Sequence, residues 1–210
     1  MSRSSSFAGV ILAAGESLRM GTEKALLPWP PQTGGHPPSH ETFLSAAIRS
    51  LSFSTDFVVV VAGANESALE PVVYANGAAL AVNPDPSRGQ FSSLQVGLHE
   101  VLNRGRDAAV ITLIDRPPVN QATIELLRTS FESAPSNIWA VVPEFSGRHG
   151  HPLIAGRELI EAFLRAPATG SARDVEHLLQ SNIQYVPVND PFVALNVNTP
   201  EDYATLLAKA

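Results

Sequence analysis

Val10-Ile11-Leu12-Ala13-Ala14-Gly15-Glu16-Ser17-Leu18-Arg19-Met20-Gly21-Thr22-Glu23-Lys24 passes from an apolar run straight into a loop of small residues and cations. Ala13, Ala14 and Gly15 lack bulky side chains, so backbone N–H groups can close on a ligand, and Gly21 permits a second bend. Arg19 offers a planar fork and Lys24 a point charge where phosphates would lie. Spacing excludes two familiar phosphate loops. A Walker loop needs four residues before Gly-Lys-Ser/Thr, whereas five separate Gly15 from Gly21 and two more precede Lys24. The dinucleotide pattern G-x-G-x-x-G is absent. Residue types alone leave two readings open: a cradle for a triphosphate, or a tight turn whose cations are solvated.

Outward from this loop, apolar runs alternate with helix-period segments, the pattern of βαβ units in a mostly parallel sheet. Strands are predicted at Ala8–Ala13, Phe57–Ala62, Ala78–Val82, Ala109–Ile114, Trp139–Val142 and Gln184–Val188. Val58–Val61 is continuously apolar, as a strand covered on both faces should be. Helices are predicted at Thr42–Leu51, Glu66–Tyr74, Ser92–Asn103, Gln121–Phe131, Arg157–Leu164, Ala172–Gln180 and Pro200–Lys209. In the last, Thr199 is the expected N-cap, with Pro200 first in the helix and Glu201 and Asp202 in its first turn. Pro28–His40, with five prolines, reads as an irregular excursion. The expected fold is α/β: one three-layer α/β/α domain over residues 1–210 with a mostly parallel, Rossmann-like sheet.

Composition narrows the function. A charge of −6 with no Lys/Arg block argues against a nucleic-acid partner. No apolar run reaches the length of a membrane span. Phe7–Ala14 is too short for a secretory leader, so a cytoplasmic location is expected. Zero cysteines exclude thiolate metal sites and thiol catalysis, so any metal must be held by oxygen or imidazole.

Four further segments carry chemistry. Asn83-Pro84-Asp85-Pro86-Ser87-Arg88-Gly89-Gln90-Phe91-Ser92-Ser93 ends at a predicted helix start, where Ser92 and Ser93 are either plain caps or contacts for a polar ligand. Asp115, in Leu113-Ile114-Asp115-Arg116-Pro117-Pro118, closes a predicted strand on the edge where α/β proteins bind ligands. It reads equally as a turn-initiating Asp and as a single-carboxylate Mg2+ ligand. Gly147-Arg148-His149-Gly150-His151-Pro152 is a loop with two imidazoles, and an i, i+2 His pair alone is a weak metal motif. Asn196-Val197-Asn198-Thr199-Pro200-Glu201-Asp202 precedes the last helix.

The string Leu12-Ala13-Ala14-Gly15-x-Ser17-x-Arg19-Met20-Gly21-x-x-Lys24 resembles the opening signature of the MobA-like nucleotidyltransferases, in particular the MocA-type molybdenum cofactor cytidylyltransferases. The double alanine looks like the cytidylyl branch. The resemblance implies a nucleotide-diphospho-sugar transferase type of fold. It also implies a nucleotide site made of Leu12, Ala13, Ala14, Gly15, Ser17, Arg19, Gly21, Lys24, Asn83, Gly89, Ser92 and Ser93, with Arg19, Lys24 and Asp115 as the catalytic groups. Asp115-Arg116-Pro117 resembles the family's Asp-Gln-Pro metal motif, with Arg116 in place of Gln. The family's second metal-side acid corresponds to Asn198, whose amide oxygen can ligate Mg2+ without adding charge. Arg116, Arg148 and His151 fall on the acceptor side, His151 to bind or orient the acceptor's phosphate. Gly170-Ser171-Ala172-Arg173 resembles an acceptor-side turn. The implied activity is transfer of a nucleoside monophosphate, from CTP by preference, to a small phosphorylated, molybdopterin-like acceptor, with Mg2+ as cofactor. Guanylyl transfer and transfer to a sugar phosphate stand beside it, and from other classes an inactive nucleotide-binding regulator or an NAD(P)-dependent oxidoreductase.

Overall fold

Valine-rich segments with no polar interruption are stable only when both faces of a sheet are covered, and this sheet is covered on both. The computed structural model describes residues 5–15, 17, 19–31 and 41–206. Its strands are β1 (Phe7–Leu12), β2 (Phe57–Ala62), β3 (Ala79–Val82), β4 (Ala108–Leu113), β5 (Ala140–Phe145), β6 (Arg148–His149), β7 (Leu153–Gly156) and β8 (Ile183–Pro187). They form one eight-stranded sheet in the order β3-β2-β1-β4-β7-β5-β6, with β8 paired to β5. The β3-β2-β1-β4 pairs and β5-β8 are parallel, whereas β7 runs antiparallel to both β4 and β5.

The period of two along each strand assigns its side chains to two cores. Ile11, Val58, Val60 and Val110 face one layer, against α1 (Phe43–Ser52), α2 (Glu66–Ala75) and α4 (Gln121–Ser133) through Leu44, Ile48, Leu69, Ile124 and Leu127. Val10, Leu12, Val59, Val61 and Ile111 face the other, against α3 (Gln90–Asn103) and α5 (Arg157–Arg165) through Leu94, Leu98, Leu159 and Phe163. A three-layer α/β/α fold results. Each fully buried side chain of this kind contributes about 1.5–3 kcal/mol. Gly97 lets α3 approach closely: a Cβ there would lie 2.7 Å from Val10 Cγ1.

Two short α-helices follow among the described residues, α6 (Ala172–Leu178) and α7 (Pro200–Leu206). Thr199 caps α7 as expected: its hydroxyl accepts from the Asp202 N–H at 3.2 Å, and the Asp202 carboxylate accepts in return from the N–H of Thr199 at 3.0 Å. The tail of the predicted last helix, and residues 32–40 of the Pro-rich excursion, lie outside the described residues. β6 and β7 are not among the strands expected from the sequence, where Gly147–Pro152 reads as loop. Gly150 explains the path there. Its N–H donates to Pro143 O at 2.9 Å, and a Cβ would come within 1.9 Å of Val193 O, so only glycine lets the hairpin fold back.

Candidate active site

The loop after β1 is anchored from both sides. Met20 packs with Phe43, Val197 and Leu206, a small core with Trp29 and Tyr203 against it. Tyr203 donates to Pro28 O at 2.6 Å. On the other side Ser17, held at φ 51°, donates to Glu23 Oε1 at 3.3 Å and accepts from the Lys24 N–H at 3.1 Å. Asn65 Nδ2 donates to Glu23 Oε2 at 3.0 Å and to Ala13 O at 2.9 Å. The sequence reading did not find Glu23 and Asn65. Their signal is tertiary, because Asn65 sits after β2 and meets the loop only through the β1–β2 pairing.

These contacts aim Arg19 and Lys24 at one point. Arg19 Nη2 donates to Asn198 Oδ1 at 3.3 Å, and Lys24 Nζ to the same oxygen at 3.4 Å. Lys24 is only 8% exposed, and burial holds its pKa below the usual lysine value, partly opposed by the Asp115 charge. Asp115 follows β4, which lies beside β1, so both loops open at the same edge of the sheet. Its backbone carbonyl accepts from the Val197 N–H at 2.8 Å, which brings Asn198 alongside. Leu12, Gly15, Ser17, Arg19, Lys24, Asp115 and Asn198 thus line one cleft of about 460 Å3. A Cβ on Gly15 would meet nothing within 4 Å, so the glycine leaves open space that a ligand can fill.

The donor set suits a hard cation shared with a substrate. Asp115 Oδ1 is buried and has no hydrogen-bond partner, which is costly unless a further group is bound there. Among the described residues no cluster of three or more His, Cys, Asp or Glu is placed to hold a metal. A carboxylate and an amide oxygen match Mg2+, which takes few protein ligands and fills its octahedron with water and phosphate oxygens.

Asn83, Ser92 and Ser93 are held against one another at the start of α3. All three are buried, and Asn83 Nδ2 donates to Ser92 Oγ at 2.8 Å and Ser93 Oγ at 2.9 Å. They tie the end of β3 to the start of α3, and the cleft wall there is made by Gly89 and Gln90 instead. Gly89, at φ 94°, turns the chain into α3. Ala13 is likewise fully buried, its N–H on Val61 O at 2.8 Å. Gly21, at φ 71°, supplies the second bend.

A second cavity of about 640 Å3 adjoins the first and shares Leu12, Gln90 and Leu113 with it. Arg116 and His151 line it. Arg116 Nη1 donates to Leu195 O at 3.2 Å, while its buried Nε has no partner. His151 is pushed down to about 4 by burial first and by the Arg116 charge second. Its Nδ1 lies 3.4 Å from Ile111 O, a group that only accepts, so Nδ1 carries the proton and Nε2 is a bare acceptor. Near neutral pH His151 is therefore uncharged. Arg148 is exposed on β6, and its charge acts on Arg116 of the cavity wall, which Arg173 also lines.

A family model for the MobA-like NTP transferase domain matches residues 9–184. The chain is 25% identical over 198 residues to the molybdenum cofactor cytidylyltransferase of Escherichia coli (strain K12), covering 93% of each. It is 28% identical over 210 residues to a probable molybdenum cofactor guanylyltransferase of Mycobacterium avium (strain 104), covering 98% of each. The crystal structure of Rv0371c from Mycobacterium tuberculosis H37Rv superposes with a TM-score of 0.79 at 26% identity, over 98% of this chain and 100% of that one.

Proposed function

Because the chain belongs to the family of MobA-like NTP transferase domains, we propose that it moves a nucleoside monophosphate, from CTP by preference, to the terminal phosphate of a molybdopterin-type acceptor. The observation that carries the reading is the convergence of Arg19, Lys24, Asp115 and Asn198 on one cleft beside a second, arginine-lined cavity. An acceptor phosphate oxygen attacks the α-phosphorus in line, the new P–O bond forms, and the bond to the β-phosphate breaks to release pyrophosphate. No protein nucleophile is needed, so the protein contributes position and charge. Arg19 and Lys24 balance the charge that builds on the leaving pyrophosphate, and the N–H groups of the loop after β1 surround it. Mg2+ on Asp115 and Asn198 would withdraw charge from the phosphate oxygens. Arg116 holds the acceptor's phosphate, and the buried Asn83–Ser92–Ser93 bonds fix the start of α3 beside the nucleotide.

The Ala13-Ala14 pair favours CTP, while Asn198 and the mycobacterial guanylyltransferase relative keep GTP in the comparison. Pyrophosphate release is to be followed with CTP, GTP, ATP and UTP, each with Mg2+ and molybdopterin. Release with CTP that needs both metal and acceptor is expected. No release with any triphosphate overturns enzymatic transfer to this acceptor, and release with GTP alone overturns the CTP preference.

A further inference from the structure

The second cavity holds one feature that phosphate binding does not use. Its cationic wall, with Arg88, Arg116 and Arg173, suits the acceptor's phosphate. Among the described residues lining it, the only acid is Glu176, on α6. The Glu176 carboxylate makes no hydrogen bond and no ion pair with another described residue, its backbone carbonyl alone accepting from the Leu179 N–H at 3.2 Å; Arg173 acts on the carboxylate only through its field. An unpaired carboxylate in a half-buried position costs folding free energy, so its presence among arginines that do not pair with it points to use.

The surroundings say what it faces. His149 lines the same cavity and stacks on Tyr185, ring centroids 3.8 Å apart and planes 12° from parallel, giving a flat wall. Glu176 and His149 line the same cavity, and the Tyr185 hydroxyl has its pKa raised by burial first and by the Glu176 charge second. Phe91, Leu94 and Leu153 supply apolar lining. A flat slot with arginines and one free carboxylate suits a planar heterocycle carrying a phosphate. An ionised carboxylate only accepts, through two oxygens, and so matches a ring edge with two adjacent N–H donors.

We propose that Glu176 is the residue that selects the acceptor's ring, accepting paired hydrogen bonds from an aminopyrimidine edge of a pterin-like heterocycle. This rests on the reading of the second cavity as the acceptor site. Burial pushes the Glu176 carboxyl up to about 6, so it is largely ionised above neutral pH.

The test is binding, which needs no transfer. Pterin (2-amino-4-oxopteridine) and lumazine, which carries a carbonyl in place of the 2-amino group, are titrated by their own fluorescence at pH 7, where the ring N–H donors are retained, into wild-type protein and Glu176→Gln. The wild type should prefer pterin by about tenfold or more, the range expected for a charge-assisted hydrogen bond. Glu176→Gln should bind the two rings alike while its thermal shift with CTP and Mg2+ is unchanged. It should also melt higher than wild type at pH 8, because the half-buried charge is gone; a merely structural glutamate would lower the melting point. Equal affinity of the wild type for both rings, no binding of either, or a preserved preference in Glu176→Gln overturns the proposal. Pyrophosphate release separately reports whether the transferase reading itself fails.

Discussion

Replacing Asn198 by Asp bears most directly on the metal assignment. The amide oxygen accepts from Arg19 at 3.3 Å and from Lys24 at 3.4 Å, and a carboxylate in its place keeps both donors while adding a negative charge to the cleft that holds Asp115. Two unit charges 4 Å apart interact by about 1 kcal/mol at the dielectric of water, so a divalent ion gains about 2 kcal/mol from the new carboxylate. The flanking cations offset part of this. Arg19 is exposed, and pairs of that kind are worth about 0–1 kcal/mol. About 1.4 kcal/mol remains, or about tenfold in affinity. Mn2+, whose free ion is visible by electron paramagnetic resonance, is titrated into wild-type and Asn198→Asp protein with and without CTP. Without nucleotide, the dissociation constant should fall about tenfold in the variant; with CTP the advantage should shrink, because phosphate oxygens supply the missing charge. A constant unchanged to within about twofold in the nucleotide-free arm refutes the placement of the ion beside Asn198.

Lys24→Met should lower turnover by about a hundredfold or more, with the far-ultraviolet circular dichroism unchanged; full activity removes Lys24 from the chemistry. Gly150→Ala should destabilise the fold by on the order of 3 kcal/mol in urea, since the added carbon would meet backbone at Val193 and not a movable side chain. A stable Gly150→Ala protein means the hairpin takes another path. His151 has a folded pKa of about 4 against an ordinary 6.5, so the unfolded chain binds the extra proton first. Its contribution is fully present above pH 6.5 and is lost as the pH falls towards 4. Melting temperature should therefore decline across that window, and less so in His151→Gln; equal slopes for the two proteins exclude His151 as a cause.

The sheet was legible where burial on both faces left a local imprint. Val58–Val61 could be little else than an interior strand, and the capping pair Thr199 and Asp202 stands three residues apart in the chain, where local chemistry decides. β7 left no such imprint. Leu153–Gly156 is four residues of plain apolar sequence, and its reversal between β4 and β5 depends on Gly150 fitting against Val193, more than 40 positions away. The site divides in the same way. Arg19, Lys24 and Asp115 stand in motifs that end strands, so the sheet carries them to one edge. Which hydroxyls face solvent at the start of α3 is decided by packing, and there Ser92 and Ser93 turn inward to Asn83. Glu23, Asn65 and Glu176 sit in unremarkable local sequence and acquire a role only when distant segments meet.

Asn198 accepts from Arg19 across 179 positions of sequence, and the N–H before it in the chain holds the Asp115 carbonyl. Every strand of the sheet leaves the ribosome before this residue does. A nascent chain can thus assemble its layers while the two cations still lack the oxygen that draws them together.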